Sequence, residues 1–177
     1  MMVSSYPKRS FACVALACAL LGAGPATGSL NGTLPAAGVA WVSDGSNPPP
    51  VAATVISQSY KAFSPAIMVI TQGSTVHFRN DDTVDHSVYS ISPADPFDLG
   101  IYEPGPGKDV VFAHPGAIAV RCHIHRHMHA ELIVVDGPFV KLDAAGSWTL
   151  NDVRTGTHVV HTWTEDGGET EHTVTVR

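Results

Sequence analysis

Along the middle of this chain, apolar residues recur at every second position in short runs, and turn-forming residues break the runs apart. Thr75 to Arg79 places Val76 and Phe78 on one face and Thr75, His77 and Arg79 on the other. A period of two is that of a strand with one buried face. His86 to Ile91, Asp109 to Ala113, Ala117 to Cys122 and Glu131 to Val135 are further strand candidates. Ala66 to Ile70 and Leu132 to Val135 lack polar alternation, which predicts strands covered on both faces. Between the runs lie Gln72-Gly73-Ser74, Asn80-Asp81-Asp82, Pro104-Gly105-Pro106-Gly107 and Pro115-Gly116, all rich in turn chemistry. Short strands at this spacing predict an all-β sandwich with Greek-key connections.

The same rhythm flanks this stretch. Residues 29–50 hold one strand candidate, Gly38 to Val42, and a loop from Gly45 to Pro50 whose prolines cannot sit inside a sheet. Residues 137–177 alternate in four runs, Phe139 to Leu142, Ser147 to Leu150, His158 to Trp163 and His172 to Val176. About forty residues of hairpins are marginal alone. The expected organisation is a sandwich over 51–136, with 137–177 packing on 29–50 as a small accessory sandwich or extension. Trp41, Trp148 and Trp163 read as core or contact residues, and His158, His161 and His172 as solvent-facing.

The start of the chain follows another pattern. Lys8 and Arg9 precede an apolar run, Phe11 to Leu21, and then small residues up to Gly28. Charged, apolar, small is the order of a secretory signal peptide, expected over residues 1–28 with cleavage after Ala26 or Gly28. The run is too short to span a membrane, and Ala15 is a poor lead residue for lipid anchoring on Cys18. A periplasmic or secreted product is expected. Its loss of Lys8 and Arg9 leaves eight basic residues against sixteen acidic ones, a net charge of −8 with histidine neutral. Such a surface repels nucleic acid and anionic lipid and suits a basic protein partner. Cys13 and Cys18 go with the leader, and Cys122 remains as a lone thiol in an oxidising compartment. Metal ligation would account for it.

The informative string is Val120-Arg121-Cys122-His123-Ile124-His125-Arg126-His127-Met128-His129. Cys122 continues the parity of Ile118 and Val120, so its sulfur should lie at the end of the core. A tight loop can return His125 and Met128 toward that sulfur. His86, opening a strand after the polar turn, is the candidate from elsewhere in the fold. One thiolate, two imidazoles and a weak thioether suit a mononuclear copper electron-transfer site.

Asn80-Asp81-Asp82 before His86, then Phe97-Asp98-Leu99-Gly100, Phe112 with Pro115-Gly116, and Cys122, His125 and Met128 resemble the cupredoxin family. The likeness covers about residues 52 to 136 and is nearest to plastocyanin- and amicyanin-like proteins of the methylamine utilisation type. It implies an eight-stranded Greek-key sandwich, one type 1 (blue) copper, electron exchange with a periplasmic redox partner, and His125 as the imidazole nearer solvent. With the acidic balance, that partner is expected to be a basic cytochrome or a dehydrogenase with a positive patch. The chain departs from the pattern at Asp85, where relatives carry Pro, and at Ser87, where they carry an Asn that steadies the Cys-bearing loop. Gly38 to Val42, Asp143 to Leu150, Gly156-Thr157-His158 and Trp163 resemble pieces of a carboxypeptidase-regulatory-like sandwich.

Two other readings of the loop are open. In the first, Cys122, His127 and Leu132 take the offsets of a multicopper oxidase motif, which requires His-x-His pairs outside the loop. In the second, His123, His127 and His129 form an outer cluster for a second metal, and the protein captures or delivers copper. No substrate pocket is legible, so an electron carrier is expected rather than an enzyme.

Overall fold

The computed structural model describes residues 16–17, 26–34, 37–51, 54–142 and 145–177. Most of the expected signal peptide, and the Asp143 and Ala144 of the flanking motif, lie outside the described residues. In chain order the strands are β1 (Leu16–Ala17), β2 (Thr27–Thr33), β3 (Gly38–Ser43), β4 (Thr54–Ser59), β5 (Ala62–Ser64), β6 (Ile67–Thr71), β7 (Thr75–Asn80) and β8 (His86–Ser90). Then follow β9 (Phe97–Tyr102), β10 (Gly105–Val111), β11 (Gly116–Arg121), β12 (His129–Val135), β13 (Phe139–Lys141), β14 (Ser147–Arg154), β15 (Gly156–Thr164) and β16 (Gly168–Val176).

The strands form sheets ordered β1-β2-β14, β13-β3-β15-β16, β6-β12-β11-β8-β9 and β10-β7-β4-β5. β4 runs parallel to β7 and β6 parallel to β12, and every other pairing is antiparallel. The last two sheets enclose the largest core, where Ile56, Val76 and Phe78 meet Val88, Ile118, Val120, Leu132 and Val134. Period-two patterning at Thr75 to Asn80 accounts for the inner face of β7, with Val76 and Phe78 fully buried.

Terminal strands combine across the chain. β3 lies between β13 and β15, and β2 pairs with β14. Ala40 and Val42 face a core with Leu30, Leu150 and Val160, while Val39 and Trp41 face Ile133, Val135 and Trp163. Ile133 and Val135 belong to β12, whose other parity, Leu132 and Val134, fills the large core. The run Leu132 to Val135 is apolar at both parities because it lies between two cores. The sheets therefore stack in layers, with β3 and β12 buried on both sides.

β1, β2, β4, β5 and β9 are not among the strands expected from the sequence. β4 and β5 are short and partly polar, and β9 packs Phe97, Leu99 and Tyr102 on the core while Asp98, Gly100 and Ile101 are exposed. The Pro104 to Gly107 cluster is not a simple turn, because β10 already begins at Gly105 and its register against β7 shifts before Lys108. Gly107 makes that possible: its φ is +81°, and a Cβ there would lie 1.9 Å from the Phe78 carbonyl oxygen.

Candidate metal centre

β8 begins at His86 because the preceding loop is tied off by its own side chains. Asn80 Oδ1 accepts the amide of Asp82 at 3.0 Å, and Asn80 Nδ2 donates to the Val84 carbonyl at 3.0 Å. Asp82 is thereby aimed at the first residue of the strand. Its Oδ2 accepts the Lys61 amide at 2.8 Å and lies 3.0 Å from His86 Nε2. The Lys61 and Thr83 amides, and then His86, hold the Asp82 carboxyl down at about 2. An ionised carboxylate only accepts, so the proton of a neutral His86 ring sits on Nε2 and the Nδ1 lone pair is left bare.

That bare nitrogen meets the loop between β11 and β12. Ile118, Val120 and Cys122 share one parity and are all buried, which brings the thiol to the end of the core. The loop then turns back, and the Met128 amide donates to the His125 carbonyl at 2.9 Å. His125 Nδ1 lies 3.1 Å from His86 Nδ1 and 4.0 Å from Cys122 Sγ. Met128 is 1% exposed and lies in the same core cluster as Cys122. His86 is fully buried and His125 partly exposed, so His125 is the imidazole nearer solvent.

Ser87, the departure from the resemblance, is buried and active in the site. Its Oγ accepts the His123 amide at 2.8 Å and lies 3.6 Å from Cys122 Sγ as a donor. Burial pushes the Cys122 thiol up, but hydrogen bonds from Ser87 and from the His125 and Ile124 backbones outweigh it and hold the thiol below its usual value. Burial first, and then the neighbouring His86, also hold His125 below the ordinary imidazole value. Both shifts run toward the forms that bind metal, thiolate at Cys122 and neutral imidazole at His125.

The remaining histidines are placed separately. His123 stacks on Tyr89 with centroids 3.8 Å apart, and its Nε2 is 3.3 Å from Asp98 Oδ2. The His127 ring lies 6.2 Å from that of His125, and His129 Nδ1 lies 2.9 Å from the His127 carbonyl. Among the described residues, the group around Cys122 whose ligand atoms lie within 4.8 Å of one another is His86, Cys122 and His125. His123, His127 and His129 form no such group, and His125 rather than His127 accompanies the thiol. His77 pairs with Asp109, and His114 with Asp95 at 2.8 Å.

Two facing sheets with parallel pairs β4/β7 and β6/β12 carry histidine at the head of one strand and Cys, His and Met on a loop at the same end. This part of the chain has a cupredoxin-like fold. Solved structures resemble it over about half of the chain. A purple cupredoxin from Nitrosopumilus maritimus is 24% identical over 46% of this chain and 98% of its own, with a TM-score of 0.42. Amicyanin from Paracoccus versutus is 21% identical over 49% of this chain and 91% of its own, with a TM-score of 0.42. A Cu-containing nitrite reductase from Thermus scotoductus is 24% identical over 46% of this chain, which spans only 22% of that enzyme, with a TM-score of 0.44. No family model and no curated protein matches the sequence.

Proposed function

We propose that this protein is an exported electron carrier holding one copper ion, of type 1, on His86 Nδ1, His125 Nδ1 and Cys122 Sγ, with Met128 as the fourth donor. The observation that carries the reading is the approach of the two Nδ1 atoms to 3.1 Å beside a buried thiol. The His86 Nδ1 lone pair, the His125 Nδ1 and the Cys122 sulfur converge on one point, where a metal ion can take the place of a ring proton. First-row ions bind imidazole at about 2.0 Å and thiolate at about 2.3 Å, which suits separations of 3.1 and 4.0 Å. Bound there, copper supplies one-electron chemistry between Cu(I) and Cu(II).

The chain's own residues account for the rest. Asp82 keeps the His86 proton on Nε2, and Ser87 clamps the Cys122 loop to β8, so the donors stay fixed while the charge changes. The partly exposed His125 ring is the point at which a partner approaches nearest. An acidic mature surface favours a basic redox protein, either a cytochrome or a dehydrogenase patch. The reading is of a carrier and not of an enzyme.

Copper delivery by residues 123–129 is the less favoured alternative, because His123 is engaged by Tyr89 and Asp98. The visible spectrum with one equivalent of Cu(II), recorded beside Cys122→Ser, decides between them. An intense thiolate-to-copper band that the variant lacks, with reversible voltammetry, supports the carrier. A pale spectrum, the same in both, would overturn it.

A further inference from the structure

A second convergence of ligands lies away from the thiol, on the accessory strands. His161 of β15 faces Glu171 of β16 directly across the ladder, and Glu169 is two residues along on the same face. His161 Nδ1 lies 3.2 Å from Glu169 Oε1 and 3.6 Å from Glu171 Oε1. The sequence reading placed His161 in solvent, yet its side chain is only 13% exposed. Its ring stacks on Trp41 with centroids 4.7 Å apart and planes 6° from parallel, which fixes the plane of the ring.

Its other nitrogen settles the chemistry. His161 Nε2 lies 3.1 Å from Ser43 Oγ, and Ser43 gives its one proton to Asp136 Oδ1 at 2.7 Å. Ser43 therefore accepts from His161, and Nε2 carries the proton of the neutral ring. A histidine whose far nitrogen donates to a hydroxyl that is itself anchored on a carboxylate, with its near nitrogen free to bind, is the kind of arrangement that orients metal ligands. In that neutral form the other nitrogen faces two carboxylates, and either a second ring proton or a metal ion between the three groups reconciles them.

The distances are also those of a metal site. A charge-assisted imidazolium–carboxylate bond closes to about 2.7–2.9 Å. Ligands held about 2.0–2.2 Å from a tetrahedral ion are separated by about 3.3–3.5 Å, and the observed 3.2 and 3.6 Å bracket that edge. We propose that His161, Glu169 and Glu171 bind a divalent cation of the zinc class, with a fourth position open to water. Glu169 is held for the role by its other oxygen, which accepts the Ala117 amide at 3.0 Å. Glu171, with its side chain 65% exposed, leaves an entry path. One imidazole and two carboxylates lack the soft donors that hold Cu(I) at the thiol centre, so the two sites select different ions. The inference does not rest on the carrier reading.

The test uses the full chain, saturated anaerobically with Cu(I) and then dialysed against micromolar Zn(II), with both metals counted. One zinc per chain is expected. Glu171→Gln, an exposed change that leaves the fold intact, should weaken zinc binding at least tenfold without altering bound copper. His161→Ala should abolish it, and the His123→Ala, His127→Ala, His129→Ala triple variant should retain it. No bound zinc, or zinc that survives Glu171→Gln, or zinc lost only in the loop variant, would overturn the assignment.

Discussion

Ser87 Oγ lies 2.8 Å from the backbone nitrogen of His123, so the strand carrying one imidazole is pinned to the loop carrying the other. Both partners stand beside ligands: Ser87 follows His86, and His123 follows Cys122. The hydroxyl also turns toward the sulfur, so one side chain serves position and charge together.

Ser87→Ala removes an acceptor from a part-buried amide and a donor from the thiolate. A loss of about 1–3 kcal/mol is expected from the unsatisfied amide, read as a lower denaturant midpoint. Copper should also dissociate faster from the variant. An unchanged midpoint and off-rate would mean that the loop holds itself.

Asp82→Asn leaves the His86 ring without a fixed proton. Loss of such an orienting carboxylate lowers metal affinity by about 10–100-fold, measurable by competition with a chelator of known affinity. The acid response has a definite sign. The Asp82 carboxyl is depressed to about 2 in the folded chain, so its stabilisation is full above the unfolded value of about 3.9 and fades as pH falls through about 2. The stability gap between wild type and Asp82→Asn should close over that window when unfolding is followed against pH.

Ile133→Ala tests whether the layers fold together. Ile133 is fully buried between β12 and the accessory strands, against Trp41 and Trp163. Truncation should cost about 2–5 kcal/mol and lower a single unfolding transition seen alike by tryptophan fluorescence and by the copper band. Two separated transitions would show that the accessory layers unfold on their own.

Gly107→Ala and Gly100→Ala form a matched pair. Both glycines have positive φ, +81° and +66°, but a Cβ at Gly107 meets the Phe78 carbonyl whereas one at Gly100 meets nothing within 4 Å. Gly100→Ala should cost only the strain of the backbone, about 1 kcal/mol. Gly107→Ala should melt well below it, because β10 must leave β7. Equal melting temperatures would refute the clash.

Most of the candidate metal centre is legible because its grammar is local. Cys122, His125 and Met128 lie on one loop, and strand parity alone sends the thiol to the core. His86 needed the polar turn before it. The supports were harder to read. Asp82 stood in a recognisable Asn-Asp-Asp turn, yet nothing in the sequence says that Lys61 will lend it an amide from the β4–β5 hairpin. Ser87 looked like a loss, since a hydroxyl and a carboxamide differ in size, and only the burial of the strand shows how the smaller group reaches the loop. His161 was misread because its neighbour Trp41 lies in a strand 120 residues earlier. β9 does alternate, with Phe97 and Leu99 packed on the core and Asp98 and Gly100 exposed, but the run is short, and β4 and β5 are short and polar at several positions.

β12 presents an exposed residue at His129 and a partly exposed one at Glu131, while Ala130 and Leu132 to Val135 are buried. Drift in this strand is therefore confined to the end that joins the histidine loop. Its far end must satisfy two cores at once, and a change that suits one face leaves the next residue answering to the other. A lineage could rewrite the loop-joining end of β12 many times over while inheriting the rest nearly letter for letter.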